Sequence, residues 1–134
     1  MSALVLQLRV ALTVADHEAA VAFYRDGLGM AEAAIWTGEQ GKAVMLAGGA
    51  ATLELFDERQ ARSVDGIEVG ARVSGPVRLA FEVSDLEAVL AQALAHGGVL
   101  VHAPVWTPWG DRNARIQAPD GLQITLFQAA APQA

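Results

Sequence analysis

The sequence predicts an α+β fold made of two tandem βαβββ modules, and three observations carry that prediction. The first is an internal repeat: LRVALTVAD at 8–16 returns as VRLAFEVSD at 77–85, with Arg9 and Arg78, Ala11 and Ala80, Val14 and Val83, and Asp16 and Asp85 each 69 residues apart. The second is continuity of register, because Glu18-Ala19 matches Glu87-Ala88 and Gly29 matches Gly98 at the same spacing. The third is the order of hydrophobic periods. One alternating segment, one helical segment and three short extended segments follow each other, and the series then repeats. Two copies are too few for an open solenoid and imply a single pseudo-symmetric unit with a shared cleft.

The elements follow in order. Leu6–Val14 alternates, with Leu8, Val10, Leu12 and Val14 on one face and Arg9, Ala11 and Thr13 on the other, which is a strand with one face on a core. Asp16 supplies an N-cap, and Ala19, Ala20, Phe23 and Tyr24 recur at helical spacing and are expected in the core, until Gly27 and Gly29 stop the helix. Strands are expected at about 31–36, 42–47 and 51–56, separated by the Gly38–Gly41 and Gly48-Gly49 turns. Residues 57–76 are charged and contain three glycines; they read as a linker with a short helical turn near Glu58–Arg62, long enough to cover part of the cleft. Val77–Val83 is the next strand. Ser84 with Glu87 forms a capping box, with Asp85 as the competing cap, for a helix that buries Leu86, Val89, Leu90, Ala93 and Leu94 and ends at Gly97-Gly98. Strands at about 99–105, 113–118 and 122–127 complete the second module, the last two joined by Pro119-Asp120-Gly121, and the tail from Ala129 is expected to fray. The chain thus reads as one domain, 1–134, with modules at 6–56 and 77–128 around the 57–76 linker.

Composition limits what such a fold does. With 134 residues, 53% apolar and 18% charged, the chain buries a substantial core. A net charge of −6 and the lack of a basic stripe exclude a nucleic-acid partner, and no segment is long or apolar enough to cross a membrane as a helix. The absence of cysteine removes disulfides, thiol nucleophiles and thiolate metal sites. The apolar start lacks a basic n-region and contains Arg9, so a signal peptide is not read there, and a cytoplasmic location is expected. Neither a Ser-His-Asp spacing nor a phosphate loop or dinucleotide fingerprint is present.

Two βαβββ copies, V-x-D opening each helix and an Asp-Gly turn before the last strand resemble the vicinal oxygen chelate superfamily of glyoxalase I, extradiol dioxygenases, and fosfomycin and bleomycin resistance proteins. The likeness covers about 6–128 and is most specific in VADHEAAVAFYRDGLGM (14–30), TLELF (52–56) and PWGDRNARIQAPDGLQITLF (108–127). It implies that each module curls into a cup, that together they form an eight-stranded mixed sheet around a small-molecule ligand, and that two chains pair as a homodimer. Members that chelate a divalent metal do so from the first strand of each half, usually through His, and from the last strand of each half, usually through Glu. Those positions here are Arg9, Glu54, Arg78 and Thr125. Strand parity independently sets Glu54 opposite Leu53 and Leu55, and Thr125 opposite Ile124 and Leu126. Arginine has no lone pair to donate and stays protonated, so only Glu54 of the four suits a metal, and neither a metal nor another cofactor is expected.

Two readings of Arg9, Glu54 and Arg78 stand side by side. One is a salt-bridge network that replaces the metal as glue across the barrel, with Glu82 also able to pair with Arg78. The other leaves an arginine free to hold an anionic group of a ligand. Trp36 on a cup strand, Trp106 and Trp109 at the rim, and Phe127 are either packing residues or an aromatic wall for a planar ligand. His17 follows a helix cap and is expected in solvent, His96 suits a helix C-terminus, and His102 lies on a strand near the cleft. The leading expectation is a metal-independent binder of a small organic molecule, of the drug-binding or resistance type. The alternative is a lyase, isomerase or dioxygenase in which Glu54 or His102 is the base. A third reading is a scaffold whose cup is filled by its own side chains; small Ala11, Thr13 and Ala80 on the floor speak for open space instead.

Overall fold

The computed structural model describes residues 4–28 and 30–130; Gly29, read above as a helix stop, and the last four residues of the tail lie outside them. Eight strands, β1 (Val5–Thr13), β2 (Ala31–Gly38), β3 (Gly41–Gly48), β4 (Ala51–Phe56), β5 (Val77–Val83), β6 (Val99–Trp106), β7 (Arg112–Gln117) and β8 (Gln123–Gln128), form one mixed sheet in the order β2-β3-β4-β1-β5-β8-β7-β6. β1 runs parallel to β4 and β5 parallel to β8, while β1 and β5 meet antiparallel at the centre. The repeat explains this centre. Arg9 pairs with Ala80 and Ala11 with Arg78, and the 69-residue spacing turns each pair into the other. A pseudo-two-fold axis therefore passes through the Val10–Leu79 pair.

Helices α1 (His17–Val21) and α3 (Leu86–Ala95) cover one face of the sheet, and α2 (Glu58–Val69) crosses the other. Under α1, Val21 packs on Val44, Leu46 and Leu55; under α3, Leu86 and Leu90 pack on Val83, Ala114, Ile116 and Leu126. A fully buried leucine such as Leu86 contributes about 1.5–3 kcal/mol. Asp16 and Asp85 cap the two outer helices, their carboxylates accepting from the N–H groups of Ala19 (3.0 Å) and Ala88 (3.2 Å). Asp85, not Ser84, is thus the cap of α3.

Two expectations are corrected here. α1 does not continue as an α-helix but widens at 22–27 into a π turn, in which the Leu28 N–H donates to the Phe23 carbonyl. The wider turn leaves Phe23 exposed, while Tyr24 packs partly buried against the core under α1. The linker is mostly helix: α2 runs for 12 residues, capped by Asp57, whose carboxylate accepts from the Gln60 N–H, and ended by Gly70 in the left-handed region. Its first half sets Ala61 and Val64 against Ala11, Ala43 and Phe56 of the first module. Its second half sends Asp65 and Glu68 into the second module.

Candidate functional site

Cross-strand register brings the four cup positions together. Glu54 and Arg78 are the partners of Ala11 on its two sides, and Arg9 and Thr125 are the partners of Ala80 on its two sides. Directly opposed residues share a face, so all four side chains project toward α2, and the alanines between them leave room. A cavity of about 740 Å³ lies there, between the sheet and the Gln60, Val64 and Glu68 face of α2. Arg9, Glu54, Arg78, Thr125, Phe127, Trp36 and Trp109 all line it. Trp106 does not: it stands 73% exposed at the end of β6. His102 lies outside it as well, exposed on the same edge strand, with Nδ1 2.7 Å from the Ala103 carbonyl. His17 is half-buried, its Nε2 2.9 Å from the Leu55 carbonyl, and not in solvent as its sequence position suggested.

The two arginines sit in crossed positions. The Arg9 guanidinium lies 4.8 Å over the ring of Phe127 in the second module, and that of Arg78 lies 5.3 Å over Phe56 in the first. The pseudo-two-fold exchanges the two contacts, each a cation–π attraction across the module boundary. Their polar partners differ. Arg78 is buried, donates to Thr125 Oγ1 (2.8 Å), and pairs with Glu68 at 3.8 Å, so Glu68 and not Glu82 is its carboxylate. Arg9 is half-buried and donates from Nε to Gln7 Oε1 (3.0 Å); among the described residues its Nη groups have no polar partner.

Glu68 was invisible as a site residue in the sequence, yet it is the best-satisfied acid in the cup. It accepts from Thr125 Oγ1 (2.6 Å), from Arg115 Nη2 and Nε (3.1 and 3.3 Å) and from Asn113 Nδ2 (3.2 Å). Arg115, fully buried, also donates to Asp65 (2.9 Å), Ser74 Oγ (2.8 Å) and Gln123 Oε1 (3.2 Å). Burial alone would raise the Asp65 carboxyl. The Ser74 N–H and hydroxyl, Arg115 and the Val73 N–H outweigh it and hold Asp65 at about 2. A signal for this cluster existed: Asn113 and Arg115 alternate with Ala114 and Ile116, and Asp57 and Gly70 bracket a helix.

Glu54 is the contrast. It is 8% exposed, and among the described residues it has neither a hydrogen-bond donor nor an ion pair. The expected salt-bridge network through Glu54 is therefore absent as direct contacts, and the arginines act on it only through space. Burial pushes its carboxyl above the ordinary carboxylate range, with Arg78 and Arg9 opposing and the charge on Glu68 adding to the rise. Burial likewise lowers Arg78, with Glu68 opposing. The residues present do not fit a divalent metal. Two guanidiniums stand where donors are needed, the Thr125 oxygen is held between Arg78 and Glu68, and no three His, Asp or Glu side chains cluster among the described residues.

The Glyoxalase/Bleomycin resistance protein/Dioxygenase superfamily model matches residues 7–126. The chain belongs to this superfamily. Among solved structures it is similar to methylmalonyl-CoA epimerase from Mycobacterium tuberculosis, at 27% identity over 98% of this chain and 93% of that one, with a TM-score of 0.67. A Streptomyces coelicolor methylmalonyl-CoA epimerase variant in complex with 2-nitronate-propionyl-CoA is 24% identical, with a TM-score of 0.66 over 96% of this chain and 100% of that one. A hypothetical protein from Bacillus halodurans C-125 is 15% identical, with a TM-score of 0.68 over 96% of both chains. No curated protein matches the sequence significantly. No helix among the described residues is long and apolar enough to cross a membrane.

Proposed function

We propose that this superfamily member binds a small organic anion in the cup, without a resident divalent metal, in the manner of the drug-binding and resistance proteins. One observation carries the reading: Arg9, at the position where the family usually has the first metal-binding histidine, lines a cavity of about 740 Å³ with tryptophan in its wall, and its Nη groups have no polar partner among the described residues. A carboxylate or phosphate seated on Arg9 makes charge-assisted bonds, and Trp36, Trp109 and Phe127 contact the body of the molecule. A homodimer and a cytoplasmic setting belong to the same proposal. The test is titration of purified protein with aromatic carboxylates and their neutral methyl esters, followed by tryptophan fluorescence, beside a metal assay. Saturable quenching by the acids and no stoichiometric metal are expected. Equal binding of acids and esters, or one metal ion per chain held by Glu54, overturns the proposal.

A second reading is favoured by Glu54 itself. A buried carboxylate with a raised pKa that lines a cavity and has no hydrogen-bond partner among the described residues has the properties of a general base or acid. An isomerase that lifts and returns a proton beside a carbonyl needs such a group, and the likeness to the Mycobacterium tuberculosis epimerase points to the same chemistry. Incubation with methylmalonyl-CoA in deuterated water checks it: deuterium must enter the acid with the native chain and not with Glu54→Gln.

A further inference from the structure

We infer that the ligand of the cup carries an ammonium group as well as its acid group, and that Glu54 holds the ammonium while Arg9 holds the acid; the inference rests on the anion-binding reading of the same cavity. A count of charges in the cavity wall leads to it. Arg9, Glu39, Glu54, Glu68, Arg78 and Asp111 line the space. Glu39 is exposed at the β2–β3 turn, and Asp111 lies just before β7, where its Oδ1 accepts from the Ala130 N–H. Arg78 and Glu68 pair with each other. One cation and one acid remain. They are Arg9 and Glu54, and neither has an ion pair among the described residues, not even with the other. Glu54 is 8% exposed, so a charge there has little water to stabilise it. Among the described residues, the partnerless side-chain atoms sealed from solvent are Thr52 Oγ1 and Asn113 Oδ1. The Glu54 oxygens and the Arg9 Nη groups are not among them, and so open on the cavity that their side chains line.

The sheet sets these two groups near each other but apart. Glu54 is the β4 partner of Ala11, and Arg9 precedes Ala11 by two residues on the same face, so the two are diagonal neighbours across β1 and β4. The Arg9 guanidinium turns toward Phe127 in the second module, while Glu54 stays in the first. The Arg9 charge is still near enough to oppose the rise that burial imposes on the Glu54 carboxyl. A ligand with an acid alone pairs Arg9 and brings a second negative charge close to Glu54, which then stays unpaired or takes up a proton. A ligand with an amine alone pairs Glu54 and leaves Arg9 without a counter-charge. A molecule that carries both charges close together, as an α-amino acid does, pairs both, and its charge-assisted bonds replace the water that each group gives up.

The test uses two series on the full chain, measured by isothermal titration at neutral pH: tryptophan against indole-3-propionate and tryptamine, and phenylalanine against 3-phenylpropionate and phenethylamine. In at least one series the amino acid is expected to bind about tenfold to a hundredfold more tightly than either the plain acid or the plain amine. In Glu54→Gln the amino acid is expected to fall to the level of the plain acid, which itself binds no worse than before. In Arg9→Met it is expected to fall to the level of the plain amine. A plain acid that binds as tightly as its amino acid in both series overturns the inference and leaves the anion-binding reading standing; proton uptake from the buffer in that case assigns the proton, not an ammonium, to Glu54. A preference for the amino acid that survives in Glu54→Gln also overturns it, since another group then reads the ammonium. If the amines bind and the acids do not, or if nothing in either series binds, the anion-binding reading fails and this inference with it. Should either variant fail to fold, the native chain's own discrimination within the two series decides.

Discussion

At the scale of single residues, the cup holds two acids of opposite character. Glu68 accepts four hydrogen bonds and Glu54 none among the described residues, although both lie near Arg78. Because the pKa of Glu54 is higher in the folded chain than its ordinary value, the native state holds that proton more tightly than the unfolded one. Its contribution is fully present below the unfolded value and is lost as the pH rises through the folded one. Glu54→Gln is therefore expected to raise the melting temperature at about pH 8, to change it little at about pH 4, and to flatten the decline between them; thermal unfolding across that range checks this. A lower melting temperature at the higher pH would show instead that the Glu54 charge is needed to hold Arg9 and Arg78 together. The positions of Arg9, Glu54, Arg78 and Thr125 were legible because a strand alternates and the repeat fixes which strands correspond. Their partners were not, since hydrogen bonding to a residue from another element leaves no trace in local sequence.

At the scale of elements, α2 is the part the sequence hid. Its buried face carries Asp65 and Glu68, and charged residues at such positions read as solvent-facing, so the helical pattern looked too weak to run past its first turn. Tertiary pairing with Arg115 is what makes that face an inner one. Asp65 latches the helix, and its pKa of about 2 lies below the ordinary 3.8, so its stabilisation is complete above the unfolded value and lost as the pH falls toward 2. That linkage is worth about 2 kcal/mol. Asp65→Asn is expected to cost about 3 kcal/mol at neutral pH, by leaving Arg115 short of a counter-charge, and to remove part of the acid slope in circular dichroism. The other end of α2 rests on Gly41, whose φ is +111° and where an added Cβ would lie 2.5 Å from Asp57 Oδ1 and 2.9 Å from Gln60 Cα. Gly41→Ala is expected to lose more than about 2 kcal/mol by pushing the β2–β3 hairpin off the helix. Gly49→Ala, at φ +67° in open space, is expected to lose about 1–2 kcal/mol. Urea midpoints of the two variants give the comparison.

At the scale of the whole molecule, duplication gives a symmetric sheet and α2 breaks the symmetry. It ties Asp65 and Glu68 to Arg115 in the second module, while Glu54 and Arg9 of the first line the cavity with no ion pair among the described residues. The repeat in the sequence announced the axis, and the single linker made the asymmetry inevitable, because one helix cannot serve both halves alike. The sheet also ends twice, at β2 and β6, and neither edge has a neighbour among the described strands. Both edges carry large apolar side chains in solvent: Ile35 and Trp36 on β2, and Val99, Leu100 and Trp106 on β6. An open edge with such residues invites another chain to pair with it, and a closed two-fold pairing is the arrangement that does so without growing into fibres. A stable pairing of this kind covers about 800 Å² on each partner. The β6 edge is the better candidate, since Trp36 on β2 is already in the cavity wall, whereas Trp106 on β6 lies outside the cavity and is the more exposed of the two. We therefore expect a homodimer by sedimentation equilibrium at micromolar concentrations, little affected by added salt because the buried surface is apolar. Trp106→Glu is expected to shift it to monomer while leaving the far-ultraviolet circular dichroism unchanged. A native chain that sediments as a monomer throughout would remove the dimer. A dimer indifferent to Trp106→Glu would move its contact surface away from β6.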